Sequence, residues 1–265
     1  MKGVVRMQLW QFGLIYLLLL VVLFVMKSRR IHQTKLLLLA SFRMTLQLVI
    51  AGLVLTYIFE HPHPVFPVLY FISMTVFAIH RVVSKNPGMG RGFYRAVGGS
   101  LGLSGLFVVV FFVALVAGQS VFNAQYMIPI SGMIMGNAMT GTSLGVKTFR
   151  ESFQLEHTRI ETLINIGANP DEVLLPLVNQ SLETALLPTL NNMLGMGIVA
   201  LPGMMTGQIL SGTLPTTAIL YQIAIMIAIT TVVCLSVFGS LWFGYRSLIN
   251  DRQQIVERFL QKKKP

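Results

Sequence analysis

The chain is a succession of apolar runs, each close to the length needed to cross a lipid bilayer as an α-helix. Apolar residues make up 54% of the 265 residues and charged residues only 11%, so no soluble core could bury them all. The pattern predicts an all-α, polytopic membrane helix bundle that forms a single domain over residues 1–265. About seven spans are expected, at residues 9–26, 38–59, 65–83, 96–118, 127–146, 186–210 and 217–245.

The first and sixth segments differ from an ordinary span. The sixth contains Pro188, Asn191, Asn192 and Pro202, so we expect helix breaks there, and irregular backbone at membrane depth has to lie against protein or water. The first is longer than the apolar core of a signal peptide and is followed by basic residues from Lys27 onward. We therefore expect the first segment to remain as a true span.

Basic residues are concentrated on one side of the predicted bundle. Of the 20 lysines and arginines, 18 fall in the connections after spans one, three and five or in the C-terminal tail, and only Lys2 and Arg6 oppose them. Positive residues favour the cytoplasmic side, so we predict an outside N-terminus and a cytoplasmic C-terminus. The net charge of +11 is accounted for by this topology and by anionic lipid, and it gives no reason to expect nucleic-acid binding.

The connection after the fifth span, residues 147–180, is polar but keeps a helical pattern. We expect span five to continue beyond the membrane and to end near Gly167, because glycine suits the left-handed position at a helix C-terminus. Asn169 precedes Pro170 and is therefore disfavoured in the α conformation. A short second helix is expected to follow, with Asp171 in its first turn, where negative charge suits the helix dipole.

The run ETLINIGANPDEV, residues 161–173, is similar to the EAA-type cytoplasmic loop of ABC transporter permeases, in which a glutamate is followed six positions later by Gly-Ala, a polar residue and proline. Thr162 and Leu163 stand where that loop usually has alanines, and Asn179-Gln180 stands where it usually closes with Leu-Pro. The resemblance implies that the loop contacts a separate ATPase subunit. The implied ATPase-coupling residues are Glu161, Gly167, Ala168, Asn169, Pro170 and Asp171.

Two further segments narrow the resemblance. MIPISGMIMGNAM at residues 127–139 and LPGMMTGQILSG at residues 201–212, together with the IGANP run and the seven-span layout, look like the FetB-type permeases over nearly the whole chain. That family includes bacterial permeases that act with a FetA-type ATPase in iron export, and plant proteins implicated in aluminium tolerance. It implies a plasma (inner) membrane exporter of a metal ion such as iron, or of a metal-linked small molecule.

Polar, small and thioether side chains crowd spans five and six. An amide at mid-span, such as Asn137, must find a partner either on a neighbouring helix or along a solvated path. The methionines are either packing elements or soft metal ligands, and packing is the more economical interpretation. We predict that the translocation path is lined or gated by Asn137, Met204, Met205 and Gln208. The five histidines form no evident cage, so the sequence specifies no metal ligands.

No catalytic constellation is present in the sequence. It lacks a GxxxxGK[ST] phosphate-binding motif, so ATP has to be hydrolysed by a separate subunit. We expect neither catalytic residues nor a cofactor. Because one set of predicted spans is small for a machine driven by a pair of ATPases, we predict a permease homodimer. The alternative is a stand-alone secondary transporter, which usually shows internal repeats and membrane-buried carboxylates.

Overall fold

The computed structural model describes residues 9–31 and 33–248, and this part of the chain contains helices and no β-strand. Lys2, Arg6, His32 and the basic residues of the C-terminal tail other than Arg246 lie outside the described residues. The α4 helix continues directly into a π-helical segment, Phe112–Val116. The helices are α1 (Leu9–Ser28), α2 (Thr34–Glu60), α3 (Val65–Lys85), α4 (Gly90–Phe111), α5 (Ala124–Leu155), α6 (His157–Asn165), α7 (Pro170–Gly195), α8 (Gly203–Leu210) and α9 (Pro215–Arg246).

Five of the described helical segments are long and apolar enough to cross a membrane by length and composition. They coincide with the first, second, third, fourth and seventh predicted spans: Trp10–Ser28, Thr34–Glu60, Val65–Lys85, Gly90–Val116 and Pro215–Arg246. The α5 helix is equally long but carries more polar and small residues. The prediction of an all-helical membrane protein is confirmed, whereas the count of seven spans and the orientation of the termini stay predictions.

The core of the bundle is formed by α4, α5 and α9, with α3 and α7 packed around them. The α5 and α9 helices approach closely because Gly141 and Gly145 present no side chain. A Cβ atom at these positions would lie 2.6 Å from a methyl group of Val233 and Val237, respectively. These small residues of the fifth predicted span therefore permit close helix packing.

The α1 and α2 helices form a hairpin at the edge of the bundle. Their described side chains are exposed along nearly the whole length of both helices. A 2.6 Å hydrogen bond joins the hydroxyls of Tyr16 and Thr45, and Ile58 of α2 packs against Ala124 and Ile128 of α5. Apolar side chains exposed in this way suit helices that face lipid.

The chain after Gly167 differs from the prediction. The α7 helix is unbroken over Pro170–Gly195, so the expected short second helix is wrong, because it continues without interruption into the sixth predicted span. Pro176 and Pro188 lie inside α7 without ending it, because a proline removes a backbone hydrogen bond but packing on both sides can hold the helix together. The polar residues at the end of the predicted connection, Asn179 and Gln180, are exposed on the helix.

The helix break expected in the sixth segment is present at residues 196–202. Gly197 has a φ of +79°, and its N–H donates to the carbonyl of Ala200 at 3.0 Å, which closes a tight turn. Pro202 is extended and directly precedes α8. The α8 helix packs against α9, so the break separates a long helix from a short one that returns along its neighbour.

Candidate coupling loop and membrane pathway

The α6 helix ends in a Schellman-type turn centred on Gly167. Gly167 has a φ of +95°, in the left-handed region that favours glycine. Its N–H donates to the carbonyl of Ile164 at 3.0 Å, and the N–H of Ala168 donates to the carbonyl of Leu163 at 2.9 Å. These are the two hydrogen bonds of that motif. The predicted helix end at Gly167 is confirmed, although Glu156 interrupts the helix between α5 and α6.

Asn169 and Pro170 start the next helix at once. Asn169 is extended, with ψ 122°, and its Oδ1 accepts a hydrogen bond from the N–H of Asp171 at 3.1 Å. Pro170 occupies the first helical position, where its missing N–H has no intrahelical partner to lose. The IGANP run is therefore a helix stop followed directly by a capped helix start, and it joins α6 to α7 by a turn of fixed geometry.

The Asp171 side chain is held by the end of α9. The Tyr245 hydroxyl donates to Oδ1 of Asp171 at 2.8 Å, and Nη2 of Arg246 donates to Oδ2 at 3.4 Å. Tyr245 is buried, and the Arg246 guanidinium lies over the ring of Trp242, 4.7 Å from the ring centroid. The Asp171 carboxylate therefore connects the first turn of α7 to the last turn of α9.

Glu161 lies on α6, one turn after His157. Oε1 of Glu161 is 3.4 Å from Nε2 of His157, so the two form an ion pair when the imidazole is protonated. The His157 ring packs edge-on against Phe153, with 6.1 Å between the ring centroids. The Glu161 side chain is only half-buried, so it has a neighbour on its own helix and stays accessible to a partner.

Two exposed apolar side chains flank α6. Leu155, the last residue of α5, is 87% exposed, and Ile166, which follows α6, is 75% exposed. Both lie in the polar connection between α5 and α7, where a partner protein could contact them. Sequence reasoning missed both residues, although an apolar residue at each end of a polar helix was the available signal.

The α5 helix exposes small and polar residues along one face near its middle. Gly136, Asn137 and Thr140 are exposed, and a Cβ atom at Gly136 would have no neighbour within 4 Å. Nδ2 of Asn137 donates to the carbonyl of Met133 at 2.8 Å, and the Thr140 hydroxyl donates to the carbonyl of Gly136 at 3.0 Å. In the described part of the chain, Asn137 thus bonds to its own helix rather than to a neighbouring one.

The other three residues predicted to line the path lie on α8. Met205 is buried, whereas Met204 and Gln208 are half-buried. Oε1 of Gln208 is shielded and has no hydrogen-bond partner in the described chain. The α8 helix packs mainly on α9 rather than on α5, so one copy of the chain does not gather these residues and Asn137 into one cluster.

Two methionines of the sixth predicted span meet polar side chains of α9 where α7 ends, and sequence reasoning missed the polar partners. The Thr230 hydroxyl donates to Sδ of Met193 at 3.2 Å, and Nε2 of Gln222 donates to Sδ of Met196 at 3.9 Å. Gln222 is only 7% exposed. It is also the one amide side chain in the seventh predicted span, and that isolation in an apolar run could have singled it out.

Charged and imidazole side chains do not form a metal centre in residues 9–31 and 33–248. No group of three His, Cys, Asp or Glu residues there is placed to hold a metal ion. His61 stacks on the Tyr57 ring with 4.7 Å between the ring centroids.

Comparison with known proteins gives the family. The family described as "Uncharacterised protein family (UPF0014)" matches residues 9–249, which is nearly the whole chain. The chain belongs to UPF0014. The resemblance to FetB-type permeases is thereby confirmed, because a FetB protein and a plant relative both align with this UPF0014 member over most of its length.

Relatives of this UPF0014 chain include named membrane proteins of bacteria and plants. The "UPF0014 membrane protein YjkA" of Bacillus subtilis is 31% identical, over 92% of this chain and 97% of that protein. The "Probable iron export permease protein FetB" of Escherichia coli is 30% identical, over 83% and 84% of the two chains. The "Protein ALUMINUM SENSITIVE 3" of Arabidopsis thaliana is 32% identical, over 80% and 77%. No solved structure gives a significant match.

The apolar helices and these similarities together define the protein class. The UPF0014 chain is a multi-pass protein of the plasma (inner) membrane and a membrane permease of its family. The B. subtilis relative is named as a membrane protein and the E. coli relative as a permease.

Proposed function

We propose that this UPF0014 chain is the membrane-spanning subunit of an ATP-binding-cassette exporter, driven by a separate FetA-like ATPase. The observation that carries the proposal is the α6–α7 turn, which is capped on both sides and held against α9 through Asp171. An element that docks on an ATPase must stay rigid when the ATPase moves it, so that the movement reaches the membrane spans. A short turn of fixed geometry is suited to that task.

The proposed docking surface is α6 with its two flanking apolar residues. Leu155 and Ile166 stand exposed at the two ends of the helix, and a partner would remove them from water. Glu161, between them, offers a half-exposed carboxylate to a basic group of the partner. The coupling segment proposed from the sequence, residues 147–180, thus includes an apolar pair around a charged centre.

The proposed cargo is a metal ion, iron-like in the first instance, or a metal-linked small molecule. One relative is named as a probable iron export permease, and a plant relative is named for sensitivity to aluminium. Both names concern metal ions, which is why a metal is the first cargo class to test for this chain.

The permease is proposed to act as a homodimer. The exposed face of α5, with Gly136, Asn137 and Thr140, is poorly suited to lipid, which cannot hydrogen-bond to an amide. The α7 helix likewise exposes Asn191 and Asn192 just before it ends. A second copy would cover these faces and enclose a polar path between the two chains. Asn137, Met204, Met205 and Gln208 are proposed to line or gate that path.

The proposed orientation puts the α6–α7 turn in the cytoplasm, where ATP is available. Nη1 of Arg150 donates to the carbonyl of Pro87 at 3.3 Å, so the basic connection between α3 and α4 lies at the same end of the bundle as the extension of α5. Arg246 meets Asp171 at that end too. Basic residues gathered in this way favour the cytoplasmic side, which supports an outside N-terminus and a cytoplasmic C-terminus.

Proteoliposomes that contain the permease with or without its ATPase test the proposal. An ATP-driven exporter moves the metal only when the ATPase is present and ATP is hydrolysed, and a hydrolysis-deficient ATPase stops the movement. A stand-alone secondary transporter moves the metal without the ATPase when an ion gradient is imposed. Gradient-driven transport by the permease alone, unchanged by the ATPase, would contradict the proposal.

A further inference from the structure

The end of α7 and the middle of α9 carry neutral sulfur and oxygen donors on facing sides, and we name this group the break cluster. It consists of Met193 in the last turn of α7, Met196 directly after that helix, and Gln222, Met226 and Thr230 on α9. Residues four positions apart share one face of a helix, so Gln222, Met226 and Thr230 lie on a single face of α9, which the two methionines contact. The contacts are the hydrogen bonds from Thr230 to Met193, at 3.2 Å, and from Gln222 to Met196, at 3.9 Å.

Gln222 is the member that points to a ligand. Its side chain is 7% exposed, and its Oε1 has no hydrogen-bond partner in the described chain. A buried amide oxygen without a partner costs the free energy of a lost hydrogen bond, so such an atom is a marker of a site that something else completes. The Nε2 atom of the same amide contacts the sulfur of Met196, so Oε1 of Gln222 lies close to a thioether.

The break cluster is open on one side and closed on the other. Met193 is 37% exposed, whereas Met226 is 8% exposed, so access is from the Met193 side. At 1.5 Å per residue, Gln222 lies about 10 Å and Thr230 about 22 Å from the start of the roughly 48 Å α9 helix. The cluster therefore lies well inside the span, beside the break that follows α7 at residues 196–202. Broken helices at this depth form cargo sites in transporters.

We propose that the break cluster binds a soft monovalent cation of the Cu(I) and Ag(I) class. The sulfurs of Met193, Met196 and Met226 are the ligands, and Oε1 of Gln222 is a fourth, neutral donor. Thioethers select soft cations such as Cu(I), whereas harder cations take carboxylate or imidazole ligands. No member of the cluster is charged, so the cluster cannot compensate a second positive charge, and burying an uncompensated charge is costly. The donor set therefore favours a single positive charge.

Binding needs little rearrangement of the polar members. The Thr230 hydroxyl also contacts the carbonyl of Met226 at 2.8 Å, so it keeps an acceptor when the Met193 sulfur turns to a cation. The contact between Gln222 and Met196 is long, at 3.9 Å, and is easily given up. The statement that the cation is cargo rests on the proposed export function, whereas its binding is measured on the permease alone.

Silver titration of the purified permease tests the site. The protein carries Cys234→Ala to remove its one thiol, and silver nitrate is added in chloride-free buffer, with bound silver counted after gel filtration. Combined Met193→Leu and Met196→Leu should weaken the binding by about tenfold or more. Gln222→Leu should weaken it less. Leucine is close to methionine in volume, so both variants should keep their fold, which gel-filtration profiles check.

Met74→Leu is the matched control. The Met74 sulfur also accepts a hydroxyl hydrogen bond, from Ser131 at 3.6 Å, but it lies outside the break cluster, so its loss should leave silver binding unchanged. Equal silver affinity in the Met193/Met196 double variant and in Met74→Leu would overturn the site. Silver binding that follows the prediction while ATP-driven transport fails would contradict the proposed exporter and leave the site standing.

Discussion

The hydroxyl of Tyr245 donates a 2.8 Å hydrogen bond to the carboxylate of Asp171, which joins residues 74 positions apart in the chain. Tyr245 is buried at the end of α9, and Asp171 lies in the first turn of α7, directly after the α6–α7 turn. A displacement of that turn therefore reaches α9 through one short contact as well as through helix packing. In the proposed exporter, this contact couples the docking loop to the core span.

Tyr245→Phe should uncouple ATP hydrolysis from transport without preventing ATPase binding. The change removes only a hydroxyl. The lost hydrogen bond contributes about 1–2 kcal/mol, because its acceptor is a charged carboxylate that is partly open to solvent. Arg246 still holds the other carboxylate oxygen, so the docking loop should keep its fold. The measurement is the number of metal ions moved per ATP hydrolysed in proteoliposomes, alongside ATPase pull-down.

Tyr221→Phe controls for the loss of a hydroxyl from the same helix. Tyr221 is half-buried on α9 and makes no hydrogen bond in the described chain, so this variant should transport as the wild type does. If the two variants show the same ratio of transport to hydrolysis, the contact between Tyr245 and Asp171 serves packing alone.

The apolar pair around α6 gives a second prediction. Leu155→Gln combined with Ile166→Gln should raise the Kd for the ATPase by about tenfold. In the complex these side chains would be buried by the ATPase, and replacing such apolar anchors with polar side chains removes much of the binding free energy of an interface. Both residues are exposed in the free chain, so membrane insertion should be unaffected. Binding of the ATPase to permease immobilised in nanodiscs gives the Kd.

Asn165→Gln, an exposed change on the same helix, is the control and should leave the Kd unchanged. Equal Kd values for the wild type, the double variant and Asn165→Gln would place the docking surface elsewhere.

The α6–α7 turn could be predicted from the sequence because its signals are local. A glycine just beyond a helix, followed within three positions by an asparagine and a proline, favours a left-handed helix end and a capped helix start. The structure has both, at Gly167 and Asn169. The partner of Asp171 could not be predicted in the same way, because Tyr245 lies far away in sequence and only the packing of α7 on α9 brings the two together.

The unbroken α7 helix and the break cluster could not be predicted, for a different reason. Pro176 and Pro188 are strong local signals for a break, but tertiary packing overrides them. The sequence prediction divides this helix into a short second helix and a sixth span, and it places Met193 and Met196 inside that span rather than at a helix end. Their contacts with Thr230 and Gln222 depend on that helix end, so no pattern within one segment could reveal them.

Asn137→Leu tests the proposed path between two copies. Leucine keeps an apolar helix stable but removes the hydrogen-bonding surface that a polar path needs, so transport and cargo-stimulated ATP hydrolysis should both fall by about tenfold. Thr231→Val is the control, because Thr231 is exposed on α9 and its hydroxyl bonds only to its own helix. Full transport by inserted Asn137→Leu would assign Asn137 to packing instead.

The proposed orientation is tested with single cysteines in a Cys234→Ala background. A cysteine at Ser120 or Thr213, in the turns before α5 and before α9, should react with an impermeant thiol reagent applied from outside. A cysteine at Ser84, exposed near the end of α3, should react only after the membrane is opened. Labelling of Ser84 alone from outside would reverse the topology.

The central claim is that the α6–α7 turn carries ATP-driven movement into the spans, and a matched pair of glycine variants addresses it. Gly167 and Gly212 have φ values of +95° and +99°, so valine strains either position by about 1–3 kcal/mol. A Cβ atom at Gly167 meets nothing within 4 Å, so the effect there comes from backbone strain rather than from a clash. Only Gly167 lies in the proposed coupling loop.

The decisive measurement is ATP-driven metal export by proteoliposomes that contain the ATPase with wild-type, Gly167→Val or Gly212→Val permease, at matched membrane levels. The account predicts that Gly167→Val inserts normally but loses ATPase association or cargo-stimulated hydrolysis, and with it export, while Gly212→Val keeps the greater part of both. Export by Gly167→Val at the level of Gly212→Val, with wild-type ATP turnover, would contradict the claim that the ATPase acts through this turn.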